Sequence, residues 1–246
     1  MSVQAEGVET PLRKGLRTQV ALAARALSLG GHDDFNQGQV SARAPGSDQF
    51  AIKAALQGFD ECTPDDVVWA STDPARPPDP MAPPELPLHQ AIYAARPDVN
   101  AIVHSHAPYT LVFGASDLEL RPISHDGAFL TGRAGRFTDS SNTILDIEMG
   151  EQVALALGDD PCVLLRNHGG VVVGKSVRHA TVYAYLLERA CQLQLMAESA
   201  LTEYHTSSWP DVVGKREFIY ADLSIRSYWE YCVRRVRRTW PEAARW

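Results

Sequence analysis

Two apolar runs that end in histidines constrain this chain more than any other feature. The first is Asn100-Ala-Ile-Val-His-Ser-His106. The second is Cys162-Val-Leu-Leu-Arg-Asn-His168, which continues through Gly169-Gly170 to Val173. Both are rich in β-branched residues and read as strands. Strand side chains alternate between faces, so those at i and i+2 share one. His104 and His106 therefore point to the same side and can reach one ion. His168 is predicted to end its strand just before a Gly-Gly turn. Glu85 opens a predicted helix over 85–96, stopped by Pro97. Three imidazoles and a carboxylate suit zinc, manganese, iron or cobalt. Three protein ligands with an open position is the catalytic arrangement. A His-x-His pair in a strand is also compatible with ordinary buried histidines, and spacing alone leaves both readings open.

The rest of the chain sets the frame. Its 246 residues suffice for one domain with a substantial core. A net charge of −7 supplies no basic surplus to neutralise phosphates, which argues against a nucleic-acid partner. No apolar run approaches a membrane span and no signal peptide is legible, so no membrane association and a cytoplasmic location are expected. Cys62, Cys162, Cys191 and Cys232 show no C-x-x-C spacing and read as free thiols.

A helix is predicted over 11–29, stopped by Gly30-Gly31. Further helices are expected over 147–158 and 176–200, with strands near 38–44, 49–53, 66–70, 100–105 and 162–173. The proline-rich stretch 73–84 cannot pair in a sheet interior and should run over the surface. Residues 205–246 read as a helical extension. Its Arg234, Arg235, Arg237 and Arg238 belong to an amphipathic helix that either packs on its own or a neighbouring subunit, or covers a site.

The segment from Glu85 through His89 to His106 resembles the signature of the class II aldolase/adducin family. Leu164-Leu-Arg-Asn-His-Gly-Gly-Val-Val-Val-Gly174 resembles it too. The resemblance runs from about residue 12 to about residue 200. It implies an α/β fold of three layers, a central mainly antiparallel sheet flanked by helices. It implies one divalent metal ion per subunit (zinc, manganese, iron or cobalt) on His104, His106 and His168, with Glu85 as a fourth ligand or as the acid/base. It also implies a homotetramer with sites near subunit interfaces. His89, four residues beyond Glu85 on the same side of the helix, is expected to orient a ligand.

Family members acting on sugar phosphates share three phosphate-holding places. Here these read Gly38-Gln39-Val40-Ser41, Lys53-Ala54-Ala55-Leu56 and Pro83-Pro84. The second has no hydroxyl, and the prolines lack N–H donors. A phosphate needs several converging donors, so an unphosphorylated substrate is expected. Arg43 and Lys53, with Ser41, are candidates to hold a carboxylate instead. Asp126 stands where the sugar-phosphate aldolases carry a tyrosine after the histidine, here His125. The pattern resembles the family's decarboxylase branch, which acts on hydroxylated aromatic or pyridine dicarboxylates.

The expected function is a metal-dependent decarboxylase for a small-molecule carboxylate, with Glu85 and His125 as candidate proton donors. Alternatives are an aldolase for a non-phosphorylated hydroxy-keto acid, an iron-dependent oxygenase on the same fold, or a non-enzymatic adducin-like module. Substrate specificity is expected in loops 73–84 and 126–145.

Overall fold

The computed structural model describes residues 10–246. Its centre is a seven-stranded sheet. The strands are β1 (Gln39–Arg43), β2 (Gln49–Lys53), β3 (Val67–Ser71), β4 (Ala101–Ser105), β5 (Ala134–Phe137), β6 (Cys162–Leu165) and β7 (Gly169–Gly174). They run in the order β3-β2-β1-β4-β7-β6-β5. Every neighbouring pair is antiparallel except β5 and β6. The histidine-bearing strand β4 is therefore the middle strand, and all five of its residues are buried.

Helices cover both faces, which confirms the three-layer expectation. On one face lie α1 (Pro11–Leu29), α3 (Pro108–Gly114), α4 (His125–Leu130) and α6 (Val177–Ala200), where Val40, Ala42, Ala101 and Val103 of the sheet join the core. On the other lie α2 (Leu86–Ala95) and α5 (Ile147–Leu157), packed on Phe50, Ile52, Ile102 and Val171. The alternation along β4 sends Ile102 and His104 to the α2/α5 face and Val103 and Ser105 to the other.

Local chemistry explains the element ends. Thr10 caps α1 by accepting from the Arg13 N–H, and Pro11 occupies the first turn, where no intrahelical donor is needed. Gly30 receives the chain at its end. The remaining helices, α7 (Trp209–Ile219) and α8 (Asp222–Thr239), form the C-terminal extension. Cys232, Val233 and Val236 of α8 pack on Leu22 and Ala26 of α1. The Arg235 guanidinium bonds the Leu29 carbonyl, so the arginine-rich helix docks on its own chain. All four cysteines are free and buried.

Three expectations need correction. The run 162–173 is two strands, not one. Asn167 adopts a left-handed φ of 56° and turns the chain back on itself. His168 therefore lies in the turn, and Gly169 and Gly170 open β7. The turn is Arg166-Asn167-His168, because Gly169 must lie in the sheet: a Cβ there would meet the Ser105 carbonyl oxygen of β4 at 2.5 Å. Finally, 126–145 is not one loop. It holds most of α4, capped by Ser124, and the edge strand β5. Six and four residues are too few to show a period in sequence.

Candidate metal centre

Glu85, His104, His106 and His168 each offer one ligand atom, and these atoms all lie within 4.8 Å of one another. Three places in the fold deliver them. Glu85 stands at the start of α2. His104 projects from the end of β4, and His106 follows one residue beyond it on the same face. His168 comes from the β6–β7 turn, brought alongside by the pairing of β4 with β7. The rings of His104, His106 and His168 sit with centroids 5.0 to 5.2 Å apart.

The hydrogen bonds decide which nitrogens are free. Nδ1 of His104 lies 3.0 Å from the Gly170 carbonyl oxygen, which can only accept. That nitrogen must carry the proton. Nε2 of a neutral His104 is then a lone pair, yet it lies 3.1 Å from Oε2 of Glu85. It is buried without an aligned hydrogen bond. Likewise, Nδ1 of His106 donates to the Asp34 carboxylate at 2.7 Å, and its Nε2 is buried without a partner. Nε2 of His168 lies 3.3 Å from Oε1 of Glu85. Lone pairs and a carboxylate converging on one buried point need positive charge among them. A divalent cation fits this donor set.

The titration directions follow from the same crowding. Burial alone would raise the Glu85 carboxyl, but the imidazoles of His104 and His168 outweigh it and hold the group well below the usual carboxylate range. Burial would lower His104, and the Glu85 charge overrides it and pushes the ring up. His106 is pushed down, first by burial and then by His104. Glu85 is further held by the Gln39 amide at 3.3 Å and the Ile144 N–H at 3.1 Å.

The other sequence candidates lie outside the four-ligand cluster, although Lys53 lines the cavity beside Glu85. His89 is fully buried on the inner side of α2, its Nδ1 2.8 Å from Ser41 Oγ, which also meets the Tyr93 hydroxyl at 2.8 Å. Burial lowers its pKa to about 3, so it is neutral. Ser41 is thereby engaged inside the fold rather than facing the cluster. Arg43 lies at the far end of β1, where its guanidinium donates to the Val99 and Arg96 carbonyls at 2.9 Å and stacks on Tyr93. Lys53 donates to the carbonyls of Asn36, Ala54 and Gln57, which accounts for all three of its N–H groups. As folded, Lys53 and Ser41 are internal ties with every donor engaged, and Arg43 is tied through two of its N–H groups to main-chain carbonyls at the other end of β1. His125 is exposed at the start of α4, beside Asp126, Arg189 and Lys215, and is not in the four-residue cluster.

Asp34, Gln39, Ile144 and Gly170 contact the cluster without having been singled out as its partners. Asp34 is 72 residues from His106, and no local pattern links them. Gln39 was legible only as part of the Gly38–Ser41 turn. A cavity of about 200 Å³ opens beside Glu85, bounded by Gln39, Leu56, Pro83, Pro84 and Thr143.

Comparison with known proteins agrees with the fold. A 3,4-dihydroxyphthalate decarboxylase from Arthrobacter keyseri is 28% identical over 247 residues, covering 92% of this chain and 96% of that protein. Decarboxylase NovR from Streptomyces niveus is 34% identical over 113 residues, 46% of this chain, and the chain spans only 42% of NovR. The crystal structure of an aldolase II superfamily protein from Pseudomonas syringae superposes with a TM-score of 0.82 at 29% identity, covering 94% of this chain and 95% of that one. The model of the class II aldolase and adducin N-terminal domain matches residues 18–195. That match takes in well over half of the sequence, and the chain belongs to the class II aldolase and adducin N-terminal domain family.

Proposed function

We propose that this protein is a divalent-metal-dependent decarboxylase of an unphosphorylated, hydroxylated aromatic dicarboxylate such as a dihydroxyphthalate. The observation that carries this reading is the four-ligand centre, beside a cavity in which Thr143 is the one hydroxyl residue and the Lys53 ammonium is already taken up by main-chain carbonyls. At the edge of that cavity stand Leu56, Pro83 and Pro84, which offer no hydroxyl, and the prolines offer no N–H. The near full-length similarity to the Arthrobacter decarboxylase supports the same class of substrate.

His104, His106 and His168 would hold the ion, with Glu85 beside them. A bound divalent ion would act as a Lewis acid, stabilising negative charge that develops on the ring and its oxygen as the carboxylate leaves. Glu85, held ionised by its imidazole neighbours, accepts the proton of the substrate's ring hydroxyl. Glu85 then delivers that proton to the ring carbon that bears the carboxylate, giving a dienone-like intermediate. The ring–carboxylate bond breaks, carbon dioxide departs, and the electron pair of that bond returns to the ring and its oxygen, so protons and electrons balance. His125 takes part only if another copy of the chain brings it to the site. On the same reading the protein works as a cytoplasmic homotetramer. Among the described residues no helix is long and apolar enough to cross a membrane.

The test is carbon dioxide release from hydroxylated phthalates and pyridine dicarboxylates, using protein stripped and then reloaded with manganese, zinc, iron or cobalt. Metal-dependent release is expected. Pyruvate from a hydroxy-keto acid, with no carbon dioxide from any dicarboxylate, would replace this reading with an aldolase. Oxygen consumption would replace it with an oxygenase.

A further inference from the structure

The segment between α1 and β1, residues 30–38, grips the histidine strand from both sides. His32 places Nδ1 2.8 Å from Ser105 Oγ, on the α1/α6 face of β4. Asp34 places Oδ2 2.7 Å from Nδ1 of His106. Its neighbour Asp33 is engaged separately, accepting from Ser28 at 2.8 Å. Gly38 then enters β1 at a φ of 76°, so close to β4 that a Cβ would meet the His104 carbonyl oxygen at 3.1 Å and the Phe59 ring at 2.8 Å. The Lys53 ammonium clasps the Asn36 carbonyl in the middle of the segment. The loop is thus anchored before, within and after the point where Asp34 meets His106.

From this geometry we infer that Asp34 is a positioning residue of the metal centre. Its carboxylate holds His106 with the proton on Nδ1 and the lone pair of Nε2 turned into the cluster, where that atom is buried and unpartnered. The inference rests on the proposed metal reading and adds to it a carboxylate that touches no metal. An ionised acceptor on the far nitrogen fixes ring rotation and tautomer and makes the imidazole a stronger donor. His104 has the weaker arrangement, a neutral carbonyl from Gly170, so Asp34 gives His106 an advantage that its neighbour on β4 lacks. The plainer role for Asp34 is to close its own turn, since it also accepts from Gln37 Nε2 at 3.0 Å. The two roles separate by measurement.

Cobalt(II) affinity is measured on metal-free protein by competition with a chromophoric chelator, for the parent, Asp34→Asn, Asp34→Ala and His104→Ala. Melting of each metal-free protein is followed alongside. Asp34→Ala is expected to weaken cobalt binding roughly 10- to 100-fold. Asp34→Asn, which keeps an acceptor oxygen without the charge, should weaken it less, with the metal-free melting temperature unchanged. If both Asp34 variants bind within about twofold of the parent while His104→Ala has lost cobalt, the inference fails and the metal reading stands. Lower melting with intact affinity marks the turn-closing role and also overturns it. If His104→Ala binds cobalt like the parent, the metal reading itself is wrong. Should Asp34→Ala not fold, Asp34→Asn decides alone.

Discussion

The sheet holds two kinds of buried polar group. At one end of β4, Glu85, His104, His106 and His168 converge with nitrogen lone pairs left unpartnered. In the neighbouring strands β1 and β2, Arg43 and Lys53 are as deeply buried, yet their N–H groups reach main-chain carbonyls. The first group leaves a charge imbalance that only a cation or a shared proton relieves. The second completes the hydrogen bonding of loops that would otherwise bury bare carbonyls. Burial of a polar residue does not separate a site from a structural tie. The direction and satisfaction of each polar atom do.

The strongest way to break the comparison is at the cluster. His104→Ala should abolish metal-dependent turnover and lower bound metal at least about 100-fold, more than the loss of an outer partner causes. Metal analysis and circular dichroism check both content and fold, and full activity without metal would defeat the constellation. Glu85→Gln keeps the shape and removes the proton carrier. Its turnover should fall about 100-fold or more, with metal retained to a greater degree than in His104→Ala.

The next effect is on stability rather than catalysis. Burial lowers the His32 ring from 6.5 to about 4. The unfolded chain therefore binds a proton that the native one refuses. Stability is full above about pH 6.5 and is lost as pH falls toward 4, by about 3 kcal/mol from this group. Denaturant unfolding across that window should show the slope, and His32→Gln should flatten it. An unchanged slope would mean that His32 is protonated in the native state.

On the structural side, Lys53→Met should cost about 2 kcal/mol by leaving carbonyls of Asn36, Ala54 and Gln57 without their donor. Arg43→Met should cost a similar or smaller amount, because the Tyr93 contact is partly kept by the apolar stem. Chemical denaturation measures both. Arg43→Met should leave turnover near that of the parent under native conditions. A selective rise in substrate KM would restore Arg43 as a carboxylate holder.

Much of this was legible because its signals are local. The β-branched alternation of 100–106 announces a strand, and the period of two puts His104 and His106 on one face whatever surrounds them. The caps and glycine stops of α1 are equally local. The β6–β7 hairpin was not legible, because its valine and leucine run hides a turn made by one left-handed asparagine. Nor was the inward role of Arg43 and Lys53. A basic side chain near a turn looks the same in sequence whether it faces a substrate or a carbonyl.

Residue order alone is enough to pair the two strand histidines and to supply the donor types for a metal. It does not say that β4 lies in the middle of the sheet with β7 against it, which is what carries His168 to a pair of histidines more than sixty residues away. It does not say that Asp34 reaches His106, or that the Lys53 ammonium is taken up by main-chain carbonyls. Those outcomes depend on which strands pair and which main-chain carbonyls are left bare. Such long-range demands on hydrogen bonding exist only once the chain has folded.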